Sequence, residues 1–263
     1  MVQLCSYKTF FNNCCQLCSN DDNVMGGPLM SKNFEKTLFE YADMIRPGEL
    51  VLVEYTSEDP VHLILQMILR YAKLKAVPIF IVDTLDGLHV MKTKLDLEDI
   101  DTSLIDDVFV VKVGGLINVG NVFKKIEEIN EISILKRQYT ELLQKICEKT
   151  EGNSTIRLVV GATELLQRLE SDPVKREEFI TGLIKPLVGH QNTIGVVFLN
   201  RKRITRPVLS EVEETATRVL RTRIENGKLL VRIVKSVYFD EYGAEVRVDP
   251  WDLREYLIAA GGD

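Results

Sequence analysis

Cysteine is almost missing after residue 18. Cys5, Cys14, Cys15 and Cys18 crowd the beginning, and only Cys147 follows. A secreted disulfide framework spreads an even set of cysteines through its fold, so this pattern argues against one. Cys15 and Cys18 form a C-x-x-C, but no second pair and no nearby histidine completes a zinc knuckle, so no metal is expected. Histidine occurs three times, at His62, His89 and His190, without Cys or carboxylate partners at ligand spacing. Each is expected to be a surface or capping residue. Sixteen Gly and eight Pro are too few for a collagen-like or low-complexity chain. No apolar run approaches the ~20 residues of a membrane-spanning helix. No basic segment followed by an apolar core marks a secretory signal, and the expected compartment is the cytoplasm. No G-x-S-x-G nucleophile elbow occurs. Excess positive charge is missing too: the net charge is −6 and the pI about 5.3, so nucleic acid is not an expected partner.

What is present is an ordinary globular composition: 263 residues, 45% hydrophobic and 27% charged, enough for one large domain with a real core. Residues 1–29 differ in texture, being rich in Asn and Cys, and are expected to form a disordered extension to a single domain at 30–263. From Met30 onward the periodicity is regular. Phe34, Leu38, Tyr41, Ala42 and Ile45 have helical spacing after Ser31, and Glu49–Tyr55 is β-rich. Residues 60–75 read as a helix, 78–82 as a strand buried on both faces, 86–95 as a helix and 108–113 as a strand. A long helix over 121–149, a strand at 155–160, a helix at 173–188 and a strand at 193–199 follow. Strand alternating with helix predicts a mostly parallel α/β sheet covered on both faces. After 207 the pattern changes. Runs at 219–224, 229–237 and 244–248 surround Asn226-Gly227, a hairpin signal, and predict a C-terminal antiparallel ribbon.

This order of elements resembles the RecA/KaiC class of P-loop ATPase domains over about 46–250. Arg46-Pro-Gly-Glu-Leu-Val-Leu-Val53 is similar to the strand entering a KaiC Walker A loop, and Ile79–Gly87 to the second strand. Leu158–Leu166 stands where the family carries Walker B, and Leu230–Ser236 resembles a closing strand. More narrowly, the chain is similar to an uncharacterised KaiC-like family of hyperthermophilic archaea. The resemblance implies a nucleotide site at Glu54, Thr56, Ser57, Glu58, Asp59, Asp83, Gly161 and Lys235, and three of its four motif sites have lost their chemistry.

A Walker A loop needs glycines, so that backbone N–H groups wrap the phosphates, together with a Lys and a Ser/Thr. Glu54–His62 contains no Gly and no Lys, and its Glu54, Glu58 and Asp59 bring three carboxylates with no neighbouring cation in sequence. Each approach of like charges at ~4 Å costs about 4 kcal/mol at an effective dielectric near 20. Gly161 or Ala162 stands where Walker B has its Asp, while Glu164 falls on the next helix. Asp83 stands where the family has its catalytic carboxylate, but without a metal or phosphate cradle it reads better as a cap of the following turn. Lys235 fits the family's closing Lys, and Val237 replaces its Arg.

These residues predict a non-catalytic domain, with no cofactor, that acts through a protein partner or through copies of itself, a dimer being favoured. A basic cluster, Arg201, Lys202, Arg203 and Arg206, and an acidic run at 96–107 are complementary enough to meet between chains. The alternative is a small-molecule or nucleotide binder using the same crevice without P-loop chemistry.

Overall fold

In the computed structural model, residues 32–261 are described, except 128–130, 151–153 and 191. The expected extension at 1–29, with its four cysteines, lies outside the described residues, as does the side chain of Cys147.

The doubly buried apolar runs become the centre of a nine-stranded sheet. Its strands are β1 (Leu50–Tyr55), β2 (Ile79–Thr84), β3 (Phe109–Val113), β4 (Asn121–Ile126), β5 (Thr155–Val160), β6 (Thr193–Asn200), β7 (Arg218–Glu225), β8 (Lys228–Lys235) and β9 (Glu245–Val248). They are ordered β4-β3-β2-β5-β6-β1-β7-β8-β9. Pairing is parallel from β4 to β7 and antiparallel from β7 to β9, so the expected parallel sheet and closing ribbon are both present. Asn226 (φ 51°) and Gly227 (φ 75°) make the two-residue hairpin between β7 and β8. Both central residues of a type I′ turn need positive φ, which Asn and Gly tolerate best.

The connections sort the helices by face. After α1 (Lys32–Asp43), α2 (Val61–Leu74), α3 (Gly87–Leu97) and α4 (Ser103–Asp107) link β1 to β2 and β2 to β3. Their Leu65, Leu69, Leu88, Leu95 and Ile105 pack on Val51, Val53, Ile81 and Leu158 of one sheet face, face one. The later helices α5 (Ile132–Lys149), α6 (Ala162–Leu169), α7 (Pro173–Phe179) and α8 (Arg206–Thr215) travel the other way along the sheet and cover face two. There Leu135, Leu165, Leu169, Phe179 and Val212 pack on Leu52, Phe80, Val82 and Val111. A final helix, α9 (Pro250–Ala260), returns to face one through Leu253 and Leu257. Right-handed crossovers require opposite faces for opposite directions of travel. The direction reverses between β2 and β5 and again between β1 and β6, and ligands of open parallel sheets sit outside the carboxyl ends at such reversals.

Two expected helices are corrected. Residues 121–149 divide into β4 and α5, because Asn121–Ile126 pairs with β3 at the sheet edge. Its lysines at 124 and 125 stay exposed, as edge strands favour, and next to Val122, Phe123 and Ile126 they imitate a helical stripe. Residues 173–188 begin as α7, but Ile180–Ile184 form a π-helical turn and Lys185–Leu187 a 3₁₀ turn.

Candidate functional site

The two crevices at the carboxyl ends of the strands hold most of the degenerate motif residues. In the first, the loop after β1 is closed on itself. The Thr56 N–H donates to Asp59 Oδ2 at 2.6 Å, and the Asp59 N–H donates to the Thr56 carbonyl at 3.0 Å. Thr222 on β7 donates its hydroxyl to the same Asp59 oxygen at 2.8 Å. Pro60 has no N–H, and the N–H groups of Val61 and Leu63 donate to the carbonyls of Asp59 and Pro60. Four N–H donors of this stretch, those of Thr56, Asp59, Val61 and Leu63, are therefore used within the loop itself. Ser57 is held by Asn200 Nδ2 at 3.0 Å.

The three carboxylates do not share one place. Glu54 points to face two, is fully buried, and meets Arg221 Nε at 2.7 Å. Arg221 also reaches Glu213 on α8 at 3.1 Å. Burial, and then the Glu213 carboxyl beside it, push Glu54 up to about 6 in spite of Arg221. Asp59 is buried in the loop, and Glu58 is exposed, 3.4 Å from Lys202. The expectation of uncompensated charge is thus corrected for Glu54 and Glu58, whose cations come from β7 and from the loop after β6, far away in sequence.

Lys235 does not face the crevice. Its Nζ donates to the Glu213 and Glu214 carbonyls near the end of α8, at 2.8 and 2.9 Å. A cation is favourable there because unsatisfied carbonyls collect at a helix C-terminus.

The second crevice, between β2 and β5, is filled by backbone. Gly161 has φ 75°, and a Cβ there would stand 1.9 Å from the Thr84 carbonyl oxygen. A Cβ on Gly87 would meet Gly161 N at 2.7 Å. No Asp fits at 161. Asp83 accepts the Leu88 N–H at 2.9 Å, which is the capping role read from sequence, and it also meets Lys112 Nζ at 2.6 Å. Lys112 bonds Asp86 as well, and Asp86 accepts the N–H groups of Leu116 and Ile117. Burial opposes the ionised form of Asp86, but Lys112 and these donors prevail and hold it down to about 2.

Lys112 escaped the sequence reading, although its position carries a signal. A lysine inside Phe-Val-Val-Lys-Val, a strand covered on both faces, must have buried partners.

The basic cluster is divided among separate tasks. Arg201 donates to the Thr222 carbonyl, Lys202 pairs with Glu58, Arg203 with Glu164 and Arg206 with Glu213. The acidic run is engaged in the same way: Asp96 and Asp106 with Lys92, Glu98 and Asp99 with Arg254. His62 is neither a surface nor a capping residue. It is buried, with Nε2 2.6 Å from Glu98, and burial lowers its proton affinity. Among the described residues no cluster of His, Cys, Asp or Glu could hold a metal ion, and no helix is long and apolar enough to cross a membrane.

No curated protein matches this chain. A solved structure from Pyrococcus horikoshii OT3 is similar to it, with a TM-score of 0.63 and 24% identity over 81% of this chain and 97% of that one. At that identity the likeness shows the fold alone. The sequence reaches further, for residues 40–247 match a family model described as Pyrococcus protein of unknown function, DUF257, and the chain belongs to that family.

Proposed function

We propose that this protein is a non-catalytic RecA/KaiC-like domain, a pseudo-ATPase of the cytoplasm, that acts by binding a protein partner or further copies of itself. One observation carries the reading: the loop after β1 is closed by the Asp59 carboxylate and by the N–H groups of Thr56, Asp59, Val61 and Leu63, at the place where the resemblance puts a polyphosphate. Support comes also from the second crevice, where Lys112 neutralises Asp83 and the backbone at Gly161 leaves no room for a metal-positioning Asp. A crevice closed in this way disfavours the alternative, a ligand held at the same place without P-loop chemistry.

Self-association is the form of binding we favour, with a dimer as its simplest state. The ribbon and last helix carry exposed large side chains, among them Phe239 at 87% and Trp251 at 65% exposure. The charged patches contribute little to this, since their members are already paired within the chain.

Two measurements test the reading. Mg-ATP should leave the melting temperature unchanged and no phosphate should be released, whereas a folded-state ligand at 100 times its Kd would add about 2.7 kcal/mol. Light scattering behind a sizing column should give a dimer mass at low and at high salt. Turnover of ATP, or a monomer mass at tens of micromolar protein, overturns the corresponding half of the proposal.

A further inference from the structure

Away from both crevices, the middle of the sheet contains a buried cation that no carboxylate of the described residues pairs with. Arg157 projects from β5 onto face two and is 1% exposed, with Arg218 one of the two bulkiest fully buried side chains. Among the described residues no carboxylate pairs with it. Its Nε has no partner, and Tyr139 on α5 lines the same cavity, with the Arg157 charge acting on its hydroxyl. A guanidinium cannot shed its proton on burial as a lysine can, so the charge persists where solvent does not reach. The fold makes room for it deliberately: on the neighbouring strand, a Cβ at Gly195 would lie 2.6 Å from Arg157 Nη2.

Two spaces adjoin this residue. One is an apolar cavity of about 80 Å³ between face two and helices α5 to α7, walled by Leu135, Tyr139, Leu165, Phe179 and Leu183. The π-helical turn Ile180–Ile184 forms part of that wall, and such turns often mark functional positions. The other is a cleft of about 10 Å³, the size of one water, bordered by Thr155, His190, Asn192 and Thr193 at the amino ends of β5 and β6. Arg157 lines both.

We propose that Arg157 and Tyr139 form the head of a buried binding site for a short apolar carboxylate, whose hydrocarbon part fills the cavity on face two. The chemistry selects the class. A planar guanidinium whose Nε donor has no partner matches a carboxylate, and the phenol supplies one more hydrogen bond. The aliphatic wall offers nothing to a polar body. At 10–15 Å³ for each water-sized atom, the cavity takes about five to eight non-hydrogen atoms, the size of a four- to six-carbon acid. The site is separate from loop 56–60, so it stands or falls independently of any nucleotide.

The test uses the full chain with isovalerate and hexanoate, each labelled with ¹³C at the carboxyl carbon, and with acetate and chloride as controls. The two longer acids should raise the melting temperature at millimolar concentration and shift the labelled resonance, while acetate and chloride should do neither. Arg157→Met should abolish both effects and should raise the melting temperature of the unliganded protein, because an unpaired buried charge has been removed. Tyr139→Phe should fold normally and weaken binding about tenfold, and it decides the matter if Arg157→Met does not fold. The proposal is overturned if the wild-type chain leaves the labelled resonance unmoved, if Arg157→Met binds as well as wild type, or if Tyr139→Phe leaves the affinity unchanged. A folded Arg157→Met with a lowered melting temperature would also overturn it, by making the cation structural.

Discussion

Lys112 on β3 and Arg157 on β5 are both buried cations in the same sheet, on strands separated by β2 alone. Lys112 lies between two carboxylates, Asp83 and Asp86. Arg218 on β7 follows the same rule, with Glu49 at 3.0 Å and Glu241 beside it. Among the described residues, Arg157 has no carboxylate and only a phenol nearby. The first two arrangements are complete and leave nothing for a ligand to supply, which is the condition of a structural cation. The third has no counter-charge among the described residues, which is the condition of a site.

Breaking a complete arrangement should cost the most. Lys112→Met leaves Asp83 buried beside no cation, and we expect a loss of about 3–5 kcal/mol in denaturant unfolding. A loss under 1 kcal/mol would show that the trio is solvated and would weaken its contrast with Arg157.

A smaller effect should appear at Glu54, where a complete-looking pair is imperfect: Oε1 has no partner, and Glu213 crowds the same arginine. Its folded value of about 6 lies above the ordinary 4.5. The folded state therefore holds that proton more tightly, and the stability it brings is full below pH 4.5 and lost as pH rises through 6. The difference amounts to about 2 kcal/mol. Melting temperature against pH should show this decline in the wild type and a flatter profile in Glu54→Gln. Identical profiles would mean that Arg221 neutralises Glu54 fully.

The smallest effect belongs to Lys202 and Glu58, a pair 61% and 77% exposed. Exposed pairs contribute about 0.2–1 kcal/mol, so a double-mutant cycle should give a coupling near the lower end, vanishing in high salt. A coupling above 1 kcal/mol would indicate that the basic cluster acts as a unit.

Much of the architecture was legible because a strand covered on both faces needs an unbroken apolar run. Ile79–Val82, Phe109–Val111 and Leu158–Val160 supply such runs, and Asn226-Gly227 marks its hairpin. Strand β4 was not legible. An edge strand satisfies only one neighbour and leaves its lysines in water, so its pattern falls between the two periods. That the loop after β1 has neither Gly nor Lys was legible directly. How the loop closes was not, because Asp59 depends on Thr222, 163 residues away.

The sequence alone determined the alternation of strand and helix and the antiparallel ribbon, because these depend on local period and on residue type. Tertiary structure decided which charges are neutralised. Electrostatic partners are chosen by distance in space, and the sheet order brings Arg221 to Glu54 from 167 positions away and Lys112 to Asp83 from 29. The same order leaves Arg157 between Phe80 and Gly195, with no acid paired to it among the described residues. An arginine read in sequence is a charge of unknown fate, and only its surroundings make it a strut or a site.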